Sequence, residues 1–387
     1  MGTIIKDQIL DYLLTNKLIS KQQHGFIRRH STTTNLLEST HDWIIGLGGA
    51  NNIDVVYIDF SKAFDSIVFS KLLFKLDKCG ISGKLHAWLS SFLHGRSQCV
   101  VLENCFSSAS NSISGVPQGS VLGPILFLIF INDVVSICCD NTTVKLFADD
   151  LKLYSVYNST VDSAELQHSL DKLACWSDLW QLQINLNKCH VLSINRPNAL
   201  ISNISNHYSL NGFILPNVKD ANDLGVYVDS NLTFKHHIAT VISKAHQRAG
   251  VFFRGFASRS LHIVRKTFIT YIRPILEFNS NVWNPSHKYL IDQIENVQRR
   301  FTKRIRQLSH LSYFERLSIL ELEPLELRRL RFDLVQYFKI FNNLSSITPV
   351  DYFNIRQPSL TSRAPVPFLV KPINKPNYVL SSFFIDL

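Results

Sequence analysis

An α+β fold with an antiparallel sheet is the class this sequence predicts, and three observations predict it. Val55 to Phe60 (VVYIDF) is a β-branched and aromatic run with the composition of a buried strand. Val144 to Ser155 (VKLFADDLKLYS) alternates with a period of two on both sides of Asp149-Asp150, as two strands joined at a tight turn do. Segments with apolar residues at helical spacing separate these runs, so the order reads strand, helices, strands, helix, hairpin, helix, strand.

Taken in chain order, residues 4–19 are expected to be helical, with Ile5, Ile9, Leu13 and Leu14 on one face. A polar loop, SKQQHGFIRRHSTTTN, follows, and Ser31 to Thr34 can cap a helix beginning near Asn35. Residues 67–93 read as two helices broken by Gly80 and Gly83. Arg96 to Leu102 and Ser112 to Val116 are short strand candidates. Pro117-Gln118-Gly119 makes a turn, and the apolar stretch 120–135 reads as a buried helix.

Beyond the hairpin, residues 160–182 carry Leu166, Leu170, Leu173, Trp176 and Leu179 at helical spacing, and Ile184 to Ile194 returns as a strand. Asn203 to Asp229 reads as loop and short strand. From Lys235 to Arg273 there are eight Lys or Arg and no acid, on helical patterns. From Ile291, the residues Ile294, Val297, Phe301 and Ile305 form an apolar stripe, and Arg299, Arg300, Lys303, Arg304 and Arg306 lie largely off it. After about residue 345 no element is expected.

The 387 residues, 45% hydrophobic and 18% charged, suffice for two or three domains with sizeable cores. A formal net charge of +10 favours an acidic partner, nucleic acid or an anionic membrane surface. Seven cysteines, all between Cys79 and Cys189 and without a CxxC pair, point to reduced intracellular thiols instead of a disulfide framework or zinc site. The longest apolar run, Ile125 to Ile131, is far short of the ~20 residues that a membrane span needs. The opening MGTIIKDQILDYLL lacks a signal-peptide core, and no separate amphipathic anchor stands out, so a soluble chain with no membrane partner is expected.

Asp59 ends the first strand, and Asp149-Asp150 sit at the hairpin turn, so strand pairing can gather three carboxylates at one sheet edge. Taken singly, each is equally a good turn sequence or a solvated strand end. Together they repel unless cations neutralise them, and hard oxygen ligands favour Mg²⁺. Two such ions about 3.5–4 Å apart can activate an attacking hydroxyl and stabilise a leaving oxygen in phosphoryl transfer.

YIDFSKAFD, SGVPQGSVLGPILF, FADD and WQLQINLNKC follow one another between residues 57 and 189. These resemble the palm motifs of reverse transcriptases, in detail those of non-LTR (LINE-type, jockey-like) retrotransposons. QHGFIRRHSTTTNLLE resembles the family's fingers motif, and GRSQCV a short segment between motifs. LGVYVDSNLTFKHHI, YIRPILEFNSNVWNP and IENVQRRFTKRI resemble its thumb and following helical region, so the resemblance covers essentially the whole chain. It implies a right-hand polymerase fold: partial fingers at 1–54, palm at 55–200, thumb at 201–275, a basic helical extension at 276–345 and an irregular tail at 346–387. It implies RNA-directed DNA polymerase activity on a DNA primer or target DNA, an RNA template and dNTPs, with two Mg²⁺ ions that Mn²⁺ can replace. The location implied is intracellular, in nucleus or cytoplasm, and no protein partner is indicated.

The resemblance also implies roles residue by residue. Asp59 matches the family's first metal-binding Asp, with the Phe60 carbonyl completing the coordination. Asp149 and Asp150 match the pair of the YxDD box, and Phe147 stands where the family usually has Tyr. Phe64 matches the aromatic beneath the incoming sugar, whose bulk would exclude a 2′-hydroxyl, and Asp65 would orient local backbone or a ligand hydroxyl. Gln118 would lie along the nascent base pair, with Gly119 allowing close backbone approach. Lys188 matches the lysine proposed to protonate departing pyrophosphate. Arg28 and Arg29 would meet the triphosphate or the template; the family commonly has Arg where this chain has Ile27.

The acid-free stretch, with Lys244, Arg248, Arg254 and Arg259, fits thumb helices that track duplex phosphates. Arg299, Arg300, Lys303 and Arg304 read as an RNA-binding patch, a nuclear-import signal or a solvated helix face. Residue 1 falls inside the family pattern, and neither an endonuclease nor a ribonuclease H set is evident, so a truncated chain is expected. Its alternative reading is a catalytically inactive remnant that only binds nucleic acid. A small-molecule phosphotransferase would need a GxxxxGK[ST] loop, which the sequence lacks.

Overall fold

The computed structural model describes residues 2–49, 52–157, 160–195, 207–256, 260–353, 355–356 and 368–369. It divides into two compact units, one of residues 1–31 and 45–219, the other of 32–44 and 220–387. The fold is mixed, helices and sheet together, as the sequence predicts. No helix among the described residues is long and apolar enough to cross a membrane.

The first unit opens with α1 (Gly2–Thr15), and the end of α2 (Thr32–Gly48) leads into strand β1 (Asn52–Ile58). Helices α3 (Phe69–Lys78) and α4 (Gly83–Leu93) follow, broken near Gly80 and Gly83 as their sequence suggests. Four two-residue strands come next: β2 (Ser97–Gln98), β3 (Val101–Leu102), β4 (Cys105–Phe106) and β5 (Ser110–Asn111). Helix α5 (Gly123–Ile131) precedes the hairpin of β6 (Thr143–Phe147) and β7 (Asp150–Tyr157). Helix α6 (Thr160–Trp180), β8 (His190–Ile194), β9 (Ser209–Leu210), β10 (Phe213–Ile214) and β11 (Asn217–Val218) complete the unit.

The main sheet has the order β11-β8-β1-β7-β6, antiparallel throughout except for the parallel β11–β8 pair at one edge. On one face Val56, Ile58, Leu146, Leu151, Leu153 and Val191 join a core with α5 and with Leu166, Leu170 and Leu173 of α6. Helix α5 is buried all round, which its unbroken apolar sequence requires. Asp54 is buried within β1 and accepts hydrogen bonds from Tyr157 (2.7 Å), Ser193 (2.6 Å) and Tyr208 (2.8 Å), tying β1, β7 and β8 together. Lys75 of α3 is buried too: its ammonium bonds the Phe130 carbonyl and Asp133, and stands 3.7 Å from the Trp180 ring centroid. Burial pushes that ammonium down to about 8.

Several local expectations are corrected. Helix α1 ends at Thr15, and it buries Ile9, Leu10 and Leu13 while Leu14 is exposed. Ser112 to Val116 is not a strand, because the Gly115 and Val116 N–H groups are taken by the Ile67 and Phe64 carbonyls (both 2.8 Å). The apolar stretch 120–135 is α5 followed by a tighter 3₁₀ turn, Asn132–Ile137. Leu179 is exposed, one residue before the end of α6. Of the predicted strand 184–194 only His190–Ile194 pairs in the sheet; the preceding residues fold into a turn whose Asn185 N–H bonds the Asp59 carbonyl. Lys145 and Lys152, polar in the alternation, are buried opposite one another across the hairpin.

The second unit holds the N-terminal part of α2 and a hairpin of β12 (Asp220–Asp223) and β13 (Val226–Asp229). Its helices are α7 (Lys235–Gly255), α8 (Leu261–Thr267), α9 (Arg273–Glu277), α10 (Ser280–Trp283), α11 (Lys288–Lys303), α12 (Tyr313–Leu320), α13 (Leu325–Phe341) and α14 (Pro349–Tyr352). α2 begins at Thr32, three residues before the expected start, and the Thr32 and Thr33 hydroxyls donate to Asn279. The predicted stripe Ile294, Val297, Phe301 and Ile305 is buried, with Phe301 5.0 Å from both the Phe253 and Phe268 ring centroids. Glu295 accepts from the Leu325 and Glu326 N–H groups (2.9 and 3.3 Å), capping α13 with a negative charge. Three elements occur beyond 345, where none is expected: α14 and the paired β14 (Ile355–Arg356) and β15 (Phe368–Leu369).

Asp333 of α13 is buried, accepts from Asn281 and Asn284 (2.9 Å each), and burial raises its carboxyl to about 6. A carboxylate raised in the folded state disfavours folding above that value, so this contribution to stability is gained as pH falls through 6 and is complete below the unfolded value. Wild type is therefore expected to gain stability relative to Asp333→Asn between pH 7 and pH 4.5 in urea unfolding. A difference that stays constant across that range would contradict the assignment.

Candidate active site

The antiparallel register of β1 and β7 sets Ile58 opposite Leu151, so Asp59 and Asp150 leave the ladder at the same end. Phe147 pairs with Asp150 across the hairpin, leaving Ala148 and Asp149 as a two-residue turn. Ala148 has φ +58°, the left-handed backbone that two-residue hairpins demand and that Ala adopts at a cost.

The charge of Asp59 reaches Asp149. The Asp149 carboxyl is raised above its ordinary value, first by burial and then by the charge of Asp59. The Asp59 carbonyl accepts the Asn185 N–H (2.7 Å), while the Lys188 ammonium stands 3.4 Å from Oδ1 and 3.3 Å from Oδ2 of its carboxylate. Lys188 is nevertheless largely exposed, and Asp59 Oδ2 is buried without accepting a hydrogen bond. Two carboxyls whose charges oppose one another, one of them with a buried oxygen met by the loose, exposed Lys188 ammonium, offer oxygen ligands that suit a hard cation. Asp150 is exposed at the first position of β7, and among the described residues no three His, Cys, Asp or Glu form a group that could itself hold a metal. The three-carboxylate cluster read from the sequence is thus Asp59, Asp149 whose carboxyl its charge helps raise, and an exposed Asp150 at the same end.

Phe60 is buried and bridges Ile184, and Phe64 is half-buried. Phe64 stacks on Phe127 (centroids 4.2 Å apart, planes 15° apart), with exposed Phe26 edge-on at 6.3 Å. The Asp65 carboxylate accepts from the Gln118 amide (2.7 Å), and its carbonyl accepts from Ser114 (2.8 Å). Gly119 has φ +76° with nothing within 4 Å of where a Cβ would stand. Arg28 is exposed, at loose ion-pair distance from Asp7 (3.6 Å) and Asp11 (3.8 Å) of α1; Arg29 is exposed with φ +67°.

Gln23, Gly25, Asn185 and Phe127 escape a sequence reading. Gln23 and Gly25 lie within the quoted loop motif, but their contact with Ala148 spans more than a hundred residues.

In the second unit Lys244, Arg248 and Arg254 are exposed on α7; Arg259 lies outside the described residues. Arg299, Arg300, Lys303 and Arg304 are exposed near the C-terminal end of α11, where cations suit the helix dipole. Arg304 lies 4.1 Å over the Phe253 ring and Arg299 4.7 Å over Tyr313. His246 of α7 is lowered by burial and by the charge of Arg300, so the two basic faces adjoin.

The sheet thus delivers two carboxyls to one end, Asp59 after β1 and Asp149 in the turn between β6 and β7. The chain belongs to the family "Reverse transcriptase (RNA-dependent DNA polymerase)", matched over residues 2–247. It is 30% identical over 252 residues to the RNA-directed DNA polymerase from mobile element jockey of Drosophila funebris, covering 62% of this chain and 27% of that one. It is 27% identical over 320 residues to the jockey enzyme of Drosophila melanogaster, covering 79% of this chain and 34% of that one. The chain thus spans about a third of the length of these relatives. Among solved structures, a Candida albicans telomerase bound to a TWJ fragment of telomeric RNA is similar, with a TM-score of 0.44 and 12% identity over 80% of this chain and 57% of that one.

Because the charge of Asp59 helps raise the Asp149 carboxyl, Asp59→Asn should bring it down toward its ordinary value without reaching it, since burial, the larger cause, remains. Carboxyl ¹³C titration of Asp149 reads this directly; an unmoved titration would show that the two do not interact.

Proposed function

We propose that the chain is an RNA-directed DNA polymerase of a non-LTR retrotransposon that extends a DNA 3′ end on an RNA template. The observation that carries this is the placement of Asp59 and Asp149 at one end of the β1–β7 ladder, where the charge of Asp59 helps raise the Asp149 carboxyl. On this reading residues 1–54 belong to the fingers, 55–200 to the palm, 201–275 to the thumb and 276–345 to a basic helical extension.

Asp59, Asp149 and Asp150, with the Phe60 carbonyl, would hold two Mg²⁺ ions, or Mn²⁺ in their place. When bound, such ions promote ionisation of the primer 3′-hydroxyl and offset charge on the leaving pyrophosphate.

The remaining tasks fall to side chains. Phe64, fixed by Phe127 beneath and Phe26 at its edge, presents a rigid ring to the sugar of a dNTP and clashes with a 2′-hydroxyl. Gln118, tethered by Asp65, lies along the nascent base pair, and the open left-handed turn at Gly119 admits backbone close to it. Lys188 rests on Asp59 and, being exposed, is free to swing toward pyrophosphate and give up a proton. Arg28 and Arg29 exchange loose or absent carboxylate contacts for triphosphate or template. Lys244, Arg248, Arg254 and Arg259 contact duplex phosphates, a sequence-independent and salt-dependent attraction. Arg299, Arg300, Lys303 and Arg304 extend that basic surface to RNA. Two of the three guanidiniums are already stacked on aromatic rings, which favours a fixed binding face over a mobile import signal.

The test is extension of a DNA primer annealed to RNA by the purified chain with Mg²⁺ and dNTPs, beside Asp149→Ala/Asp150→Ala. Extension should vanish in the double variant while template binding persists. Phe64→Val should relax discrimination between dNTPs and rNTPs by about 10- to 200-fold. Template binding without extension by the parent chain would overturn the enzyme reading in favour of a non-catalytic nucleic-acid binder.

A further inference from the structure

Gln23 is buried beside the hairpin that carries Asp149, and its amide is committed to backbone. Oε1 accepts the Gly25 N–H (2.7 Å) and the Ala148 N–H (2.9 Å), and Nε2 stands 3.4 Å from the Ala148 carbonyl. The segment bearing Gln23 pairs with β6: the His24 N–H donates to the Leu146 carbonyl (2.8 Å), and the Leu146 N–H to the Gln22 carbonyl (2.9 Å). Gly25 then passes so close to the turn that a Cβ would lie 2.4 Å from the Ala148 nitrogen and 3.0 Å from its Cα. These contacts meet the one residue of the turn whose backbone is left-handed, a conformation that costs an Ala roughly 1–2 kcal/mol.

We propose that Gln23, with Gly25 as its close-packed neighbour, is a positioning residue that holds the Ala148–Asp149 turn and thereby fixes the Asp149 carboxylate for nucleotide addition. A satisfied buried amide elsewhere in the core would stabilise the unit as a whole. This one is bonded to the residue immediately before a catalytic carboxylate, so its effect is local. The role in catalysis rests on the polymerase reading; the hold on the turn does not.

Gln23→Met keeps the shape and removes the acceptor, whereas Gln23→Glu keeps an oxygen within reach of both N–H groups. Amide hydrogen exchange of the full chain comes first. Gln23→Met is expected to speed exchange at Ala148 about tenfold, the effect of one lost buried hydrogen bond, while core amides of β1 and β7 keep their protection. Gln23→Glu should restore protection at Ala148. In primer extension Gln23→Met should lower kcat about 100-fold, as a misplacement near 1 Å does, with the KM for dNTP within about twofold of wild type.

Unchanged Ala148 exchange in Gln23→Met would overturn the proposal. So would protection lost evenly across the sheet, or a loosened turn with wild-type kcat. If the parent chain extends no primer, the polymerase reading fails, and the exchange pattern alone decides whether Gln23 holds the turn.

Discussion

The antiparallel pairing of β1 with β7 is the constraint on which the rest of the site depends. With Ile58 opposite Leu151, the chain has no choice but to deliver Asp59 and the Asp149–Asp150 turn to the same end of the sheet. A one-residue slip would carry the whole apolar set of β7 to the other face, so burial of Leu151 and Leu153 beside Val56 and Ile58 specifies this register strongly. The apolar core therefore enforces an electrostatically unfavourable arrangement at its edge. Burial and the neighbouring charge together hold the Asp149 carboxyl above its ordinary range.

The surroundings of that edge share the task of holding it. Asn185 grips the Asp59 carbonyl from the turn before β8, and the same turn carries Lys188 to the Asp59 carboxylate as a loose, exposed counter-charge. Gln23 meets the hairpin from the other side of the chain. Phe64 and Gln118 are each fixed by a partner, Phe127 and Asp65, that touches no substrate in the proposed reaction. Such support limits how far a functional side chain can drift, and rigid placement of reacting groups is where much of a polymerase's rate arises. In the second unit the same economy is seen: Ile294, Val297 and Phe301 bury one face of α11 and leave its arginines outward.

Much of this was legible in the sequence because it is local. The strand ending at Asp59, the hairpin at Asp149, the apolar stripe of α11 and most of that of α6 follow from periods of two and 3.6. The errors have a common physical origin in contacts between residues distant along the chain. Ile184 to Asn187 alternate apolar and polar as a strand does, yet Asn185 is drawn into a turn by a carbonyl more than a hundred residues away. Lys145 and Lys152 alternate as surface residues would, but the sheet is covered on both faces. Leu179 keeps the helical spacing of its stripe and is still exposed at the end of α6. At the site the carboxylates were visible as acids beside β-branched runs, and the resemblance to reverse transcriptases supplied their roles. Gln23 carried no such signal, because a glutamine in a polar loop looks the same whether it faces water or a hairpin.

On the proposed function, Asp59 and Asp149 oppose one another's charge and would share a divalent cation that relieves it. Thermal unfolding of wild type and Asp59→Asn/Asp149→Asn, with and without Mg²⁺ and no nucleotide, tests it most directly. The expected result is a neutral variant more stable than wild type in the absence of Mg²⁺, and a Tm that rises with Mg²⁺ in wild type alone. Equal stability without Mg²⁺, together with an equal Mg²⁺ response in both proteins, would contradict it.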